Sequence, residues 1–345
     1  MKRTTLAFCA AAATTLALAA PLAAQERVFV GIATGGTGGT YYPLGGMLAQ
    51  LISNTAQLEG KRISATAETG NASVANAALL ARAEIETAFI AADILDAAFK
   101  GANQFEGNAA ENIRALGSLY PETVQLVARG GASMDSFAAI KGKSVSSGSP
   151  GSGHWQLLGD LLEAHGLSRD DVSEDYSSFA QSADKIKDGN LDSSLITAGV
   201  PTASITELAN GHDITIVPLT GDEIARLQEV QPYYANIVLP ANTYRGQTED
   251  VPTIAVRAIW ATHAGLDDDL AYAMVKALYE NTATLAQVHV MGAQISLETA
   301  LEAISVPLHP AAERFYRWLQ TPAARDILAR HGFELPASAE GGKPA

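Results

Sequence analysis

The chain has 345 residues, with 23 basic against 37 acidic, a formal net charge of −14 and one cysteine, Cys9. So acidic a surface argues against nucleic acid or anionic lipid as a partner. A single cysteine excludes intramolecular disulfides and thiolate metal clusters.

Lys2 and Arg3 precede an apolar, alanine-rich run from Leu6 to Ala20. Small residues follow, Pro21-Leu22-Ala23-Ala24, and then the polar Gln25-Glu26-Arg27. A charged start, an apolar middle and a small-residue end define a signal peptide, and the run is short of the roughly 20 residues of a membrane span. Residues 1–24 are therefore expected to be removed on export to the periplasm. Cys9 leaves with them.

From here strands and helices alternate. Val28–Ala33 is a short apolar run suited to a buried strand. Leu44, Met47, Leu48, Leu51 and Ile52 recur with helical spacing, and Pro43 suits a first turn. A strand at Ile63–Ala67, a helix at Ser73–Arg82, a strand at Thr87–Ile90 and a helix at Asp93–Phe99 complete a first block. A second block has strands at Lys143–Ser147, Leu191–Ile196 and Ile214–Val217, and helices at His154–His165 and Thr202–Asn210. The class is α/β, in two blocks. Two longer β-like stretches, Ala115–Arg129 and Val251–His263, join them, as a two-strand hinge between lobes requires. Lobe 1 is then discontinuous, residues 25–125 completed by 246–335, with helices at Asp268–Gln287 and Ala311–Arg330. Lobe 2 is 126–245. Residues 336–345 are rich in Pro, Gly, Ser and Ala and are expected to be a disordered tail.

Small and polar residues cluster where strands end and helices begin. The candidates for ligand contact are Thr37, Gly39, Thr40, Tyr41 and Tyr42; Asn71 and Ser73; Asp93; Ser149, Gly151, Ser152, Gly153, His154 and Trp155; and Thr197 and Gly199. Free N–H groups and the dipole at a helix N-terminus favour an anion, glycines let the backbone approach it, and in α/β sheets ligands sit at the carboxyl ends of strands. Each cluster also suits a plain turn with a helix cap. Enzyme motifs fail. The P-loop pattern before Gly142-Lys143-Ser144 has Phe137 at its glycine position, and the dinucleotide pattern from Gly36 has Tyr41 at its third glycine. No Gly-x-Ser-x-Gly elbow surrounds Ser149 or Ser152, and no two histidines stand four apart. No catalytic residue, metal or cofactor is expected. An α/β hydrolase or transferase acting on a carboxylated small molecule is the alternative, and a surface interaction protein without a small ligand a third reading.

Several segments together resemble one family. Val30-Gly31-Ile32-Ala33-Thr34-Gly35-Gly36 runs into Gly39-Thr40-Tyr41-Tyr42-Pro43. In order follow Glu68-Thr69-Gly70-Asn71-Ala72-Ser73, Ser118-Leu119-Tyr120-Pro121-Glu122, Gly148-Ser149-Pro150-Gly151-Ser152-Gly153, Gly199-Val200-Pro201, Pro232-Tyr233-Tyr234-Ala235, Gly246–Thr253 and Leu308–Tyr316. This order resembles the TAXI family, the solute receptors of one class of TRAP (tripartite ATP-independent periplasmic) transporters. The resemblance implies a type II periplasmic-binding fold, a cleft holding a small organic anion such as a glutamate- or 2-oxoglutarate-like C4–C5 acid, delivery to TRAP membrane permease subunits, and a monomer. Trp155 is expected to add an aromatic wall.

Overall fold

The computed structural model describes residues 26–319 and Thr321. The expected signal peptide, the end of the last helix and the tail lie outside the described residues.

The first block runs β1 (Glu26–Ala33), α1 (Tyr41–Thr55), β2 (Lys61–Glu68), α2 (Ser73–Ala81), β3 (Thr87–Ala91) and α3 (Ala92–Lys100). β1 pairs in parallel with β2 along its whole length, Val28 opposite Ile63, and with β3 at Ile32–Thr87. α1 buries Leu44, Leu48, Leu51 and Ile52, the stripe its spacing predicts. Pro43 sits in its first turn, where a missing N–H leaves no helical bond unmade. α3 ends on Gly101 at φ +66, a left-handed cap.

β4 (Ile113–Arg129) leads into β5 (Ser144–Ser146), α4 (His154–Ala164), β6 (Ser173–Asp175), α5 (Phe179–Lys187), β7 (Ser193–Ala198), α6 (Ala203–Gly211), β8 (Ile214–Val217), α7 (Asp222–Val230) and β9 (Ala235–Leu239). β10 (Val251–His263) returns the chain to α8 (Asp268–Tyr279), α9 (Thr282–Leu285) and α10 (Pro310–Leu319). The expected single helix 268–287 is broken because Asn281 turns its amide back onto the Ala277 carbonyl at 2.8 Å, competing with the helical ladder. β6, α5, α7 and β9 were not anticipated. β6 is three residues long, and β9 is a largely exposed strand at the sheet's edge.

The ten strands of the described residues form one sheet, in the order β2-β1-β3-β10-β4-β7-β5-β6, with β8 on β4 and β9 on β10. β4 and β10 build both lobes. The C-terminal half of β10 pairs with β3 and with the start of β4, while its N-terminal half pairs with β9. The far end of β4 pairs with β7 and β8. Between the lobes the β4–β10 register slips from Arg257 to Ile259, near Pro121. A register slip twists a ladder locally, and proline removes a ladder donor. Helices cover both faces, with Trp260, Tyr120, Phe89 and Phe315 fully buried. One apolar cluster runs through both lobes and two others serve one lobe each.

Candidate functional site

The lobes enclose a cavity of about 180 Å3. The starts of five helices line it: Thr40 and Tyr41 of α1, Ala72 and Ser73 of α2, Ala91 and Asp93 of α3, Gly153 and His154 of α4, and Ser178 and Phe179 of α5. Ser178 caps α5 through its side chain, but none of the residues capping the other four supplies a side-chain hydrogen bond to the first turn. Their leading N–H groups thus gather partial positive charge around one volume. Ala72 is held at φ 63, ψ −147, a strained conformation costing about 1–3 kcal/mol and typical of ligand sites.

Four side-chain atoms of the lining are buried without a hydrogen-bond partner among the described residues: Asp93 Oδ1, Ser152 Oγ, His154 Nδ1 and Thr197 Oγ1. The Thr197 N–H donates to His154 Nε2 at 3.0 Å, so the neutral ring carries its proton on Nδ1, a free donor. Burial pushes the imidazole pKa down to about 4, which keeps it neutral at pH 7. No lysine or arginine lines the cavity among the described residues. Its ionisable lining otherwise consists of two carboxyls and two phenols. The Tyr41 hydroxyl donates to Glu122 Oε2 at 2.7 Å, and the Tyr234 hydroxyl donates to Asp93 Oδ2 at 2.8 Å. Burial lifts the Glu122 carboxyl to about 8; the Tyr41 bond pulls it down and the charge of Asp93 pushes it up. Burial likewise raises Asp93, against the Tyr234 bond.

Of the candidate residues, Thr37, Gly39, Thr40, Tyr41, Asn71, Ser73, Asp93, Ser149, Ser152, Gly153, His154 and Thr197 line the cavity. Tyr42, Gly151, Trp155 and Gly199 are outside the lining. Trp155 is 45 % exposed, with the Arg169 guanidinium stacked on its ring at 3.8 Å. One step along a helix turns a side chain by about 100°, so Trp155 leaves the face that His154 enters. The aromatic wall is instead Phe179, edge-on to His154 with ring centroids 5.1 Å apart. Its local signal was the capping box at the start of α5, in which Ser178 accepts from the Gln181 N–H.

Gly151 and Gly199 join the lobes. The Ala75 N–H donates to the Gly151 carbonyl at 2.9 Å, and the Thr40 hydroxyl to the Gly199 carbonyl at 3.2 Å. The Ser204 N–H donates to the Gly38 carbonyl at 3.1 Å, and His289 Nε2 meets the Pro201 carbonyl at 3.1 Å. With the Tyr234–Asp93 bond these hold the lobes closed, each contributing about 0.5–1.5 kcal/mol net. Close approach accounts for several glycines. A Cβ on Gly153 would lie 2.7 Å from Ile94 Cγ1, and one on Gly199 2.9 Å from Thr40 Cγ2. Gly151 also stands at φ +88, a conformation L side chains resist. Among the lining residues not singled out in the sequence are Glu122, Tyr234 and Phe179.

Two α/β lobes, a double crossing and a cavity between facing helix starts define the type II periplasmic-binding-protein fold. The chain belongs to the NMT1-like family, whose sequence profile matches residues 32–317. Its structure is similar to that of the periplasmic binding protein BugD, with a TM-score of 0.51, 16 % identity, and coverage of 89 % of this chain and 98 % of that one. Similarity is lower to the periplasmic aliphatic sulphonate binding protein SsuA of Escherichia coli, with a TM-score of 0.44, 13 % identity, and coverage of 89 % and 93 %. The alkanesulfonate-binding protein SsuA of Xanthomonas axonopodis pv. citri, bound to MOPS, has a TM-score of 0.46, 15 % identity, and the same coverage. Among the described residues no helix is long and apolar enough to cross a membrane, and no group of three or more His, Cys, Asp or Glu could hold a metal ion.

Proposed function

We propose that this protein is a periplasmic solute receptor of the TAXI class that captures a small carboxylic acid of C4–C5 size and delivers it to the membrane permease of a TRAP transporter. The observation that carries the reading is the cavity itself, where four uncapped helix starts and the unpartnered donors of Ser152, His154 and Thr197 converge between the lobes. Taking a carboxylate from water costs several kcal/mol even after relaxation. Hydrogen bonds to a charged group contribute roughly 1.5–3 kcal/mol each, so three or four offset that cost without an arginine.

In this reading residues 25–125 and 246–335 form one lobe and 126–245 the other, the exported chain acts as a monomer after loss of residues 1–24, and the permease recognises the closed form. The ordered motifs from Val30 to Tyr316 support the TAXI assignment. Against the hydrolase reading, Ser152 Oγ and His154 Nδ1 both lack partners. A nucleophile and its base are expected to share a hydrogen bond.

Thermal denaturation against a panel of C4–C5 mono- and dicarboxylates, oxo acids and amino acids tests the proposal. One chemical group should raise the midpoint in a saturable way, and none of the panel should be consumed. Turnover of ester or phosphate substrates by the pure protein, with no stabilisation by any acid, would replace the receptor with an enzyme.

A further inference from the structure

We propose that Glu122 meets the solute as a neutral acid, its carboxyl proton donated to a carboxylate oxygen of the solute, so that the closed receptor holds its ligand together with one proton. The inference rests on the receptor reading above and adds how the anion is received.

Glu122 belongs to β4, the strand that joins the lobes, and lines the cavity while only 4 % exposed. Among the described residues one side chain bonds to its carboxyl: the Tyr41 hydroxyl donates to Oε2 at 2.7 Å. Oε1 is left to the cavity. No lysine or arginine lines that cavity among the described residues. Arg257 stands beside Pro121 in the neighbouring strand, but it donates to Ser118 Oγ and the Leu119 carbonyl and pairs with Glu302. The titratable groups around Glu122 are Tyr41 of α1, Tyr120 of its own strand, Tyr234 before β9, Asp93 of α3 and, in the same lining, His154 of α4. Three are phenols and one is an acid. The imidazole, pushed down to about 4 by burial, is neutral at pH 7. Glu122 therefore has no counter-charge.

Asp93 and Glu122 differ in what supports their charge. Asp93 lies in the first turn of α3, where the N–H groups of Asp93 and Ile94 and the Tyr234 hydroxyl favour its ionised form. Glu122 has a single phenol and the charge of Asp93 nearby. A second uncompensated charge in the same dry volume is costly, and a solute carboxylate adds a third. Protonation of Glu122 removes the conflict and turns an obstacle into a donor. With Tyr41 on Oε2, the proton rests on Oε1, the oxygen left to the ligand. Bonds of the O–H···O⁻ type are short and strong, and a buried carboxylic acid kept neutral is an effective donor to an anion.

Isothermal titration calorimetry of the mature protein with succinate, glutarate and 2-oxoglutarate, which stay ionised from pH 7 to pH 9.5, tests the proposal. In the closed cavity without solute Glu122 releases its proton at about 8. Above that pH the complex binds more protons than the free receptor, so affinity falls as pH rises. Whichever acid binds should weaken by about 30-fold or more between pH 7 and pH 9.5. Titrations at pH 9 in buffers of different ionisation enthalpy should show close to one proton taken up per solute. Glu122→Gln keeps a donor that cannot ionise. It should bind more tightly than Glu122→Ala at pH 7, lose the proton uptake, and show less than about threefold change across the same pH range. Binding that is independent of pH and takes up no proton overturns the proposal and leaves the acid receptor standing. Uptake that persists in Glu122→Gln overturns it as well, by placing the proton on another group. The buffer series on the unsubstituted protein decides the matter even where a variant fails to fold. No binding of these acids, nor of L-glutamate at pH 7, overturns both the proton and the receptor.

Discussion

Gly153→Ala isolates lobe closure from folding. Gly153 caps α4 at φ −78, a backbone conformation that alanine adopts freely, so lobe 2 loses only the modest preference of a helix cap for glycine over alanine. The added Cβ would stand 2.7 Å from Ile94 Cγ1 and 2.9 Å from Ile94 Cδ1, on the opposite lobe. Carbon contacts are optimal near 3.5–4.0 Å, so the methyl intrudes by about 1 Å. Ile94 is 2 % exposed within a packed cluster, and the free space beside it is the cavity it lines, which a bound ligand fills. Overpacking of this kind costs about 1–3 kcal/mol, charged to the closed state alone. With a tenfold change per 1.4 kcal/mol, affinity for the preferred C4–C5 acid by calorimetry should fall roughly fivefold to a hundredfold. The ligand-free melting midpoint should change little, and the ligand-induced contraction seen by small-angle scattering should shrink. Undiminished affinity with full contraction would refute the closure argument. Equal destabilisation of ligand-free and saturated protein would also refute it, by making the Ile94–Gly153 contact a permanent part of the core.

Glu122 holds a proton in the folded protein up to about pH 8 that an ordinary glutamate releases near 4.5. Between those values the folded state binds more protons than the unfolded one, so stability falls as pH rises through the window. Glu122→Gln removes the loss, and its melting midpoint should overtake the parent's progressively from pH 4.5 to pH 8; parallel curves would show that the carboxyl is not strained by burial. For His154, lowered to about 4, the folded state binds fewer protons than the unfolded one between pH 4 and 6.5. Stability should therefore fall as pH drops through that window, by about 3 kcal/mol at most, and His154→Gln should flatten the denaturation profile; an unchanged profile would place the imidazole in solvent. Ser152→Ala removes one neutral donor and should weaken the preferred acid about tenfold in calorimetry; parental affinity would remove Ser152 from the carboxylate site. Trp155→Ala should leave affinity within twofold, because the ring packs under Arg169 outside the cavity; a large loss would return it to the site.

The fold was legible where one face of an element is buried and the other is not. The stripe of α1 and the runs of β1, β4, β8 and β10 can be read residue by residue, because apolar periodicity is set by burial. β6 and β9 are short or exposed and carry no such pattern. The glycine clusters led to the cavity, since loops at strand ends must bring backbone close to something. They do not reveal what that something is. Gly39 and Gly153 line the cavity, whereas Gly151 and Gly199 bond to the opposite lobe without lining it, and no feature of the local sequence separates the two pairs. Glu122 escaped notice for the opposite reason. It stands inside the apolar run ALGSLYPETVQLVAR, outside the glycine-rich clusters, and an acid within a buried strand was the signal for it. Asp93 was found but not its neighbours, because its place beside Glu122 and Tyr234 in the lining exists only once β4 and the chain before β9 are packed together.

Native mass spectrometry of the protein purified from the periplasm tests the central claim most directly. A cavity of about 180 Å3 admits one small molecule. The account predicts a monomer carrying a single adduct, released on activation, whose accurate mass and fragmentation identify a small carboxylic acid. An adduct without a carboxyl group, a nucleotide-sized or purely apolar adduct, or a chain that binds no small acid when offered one would contradict it.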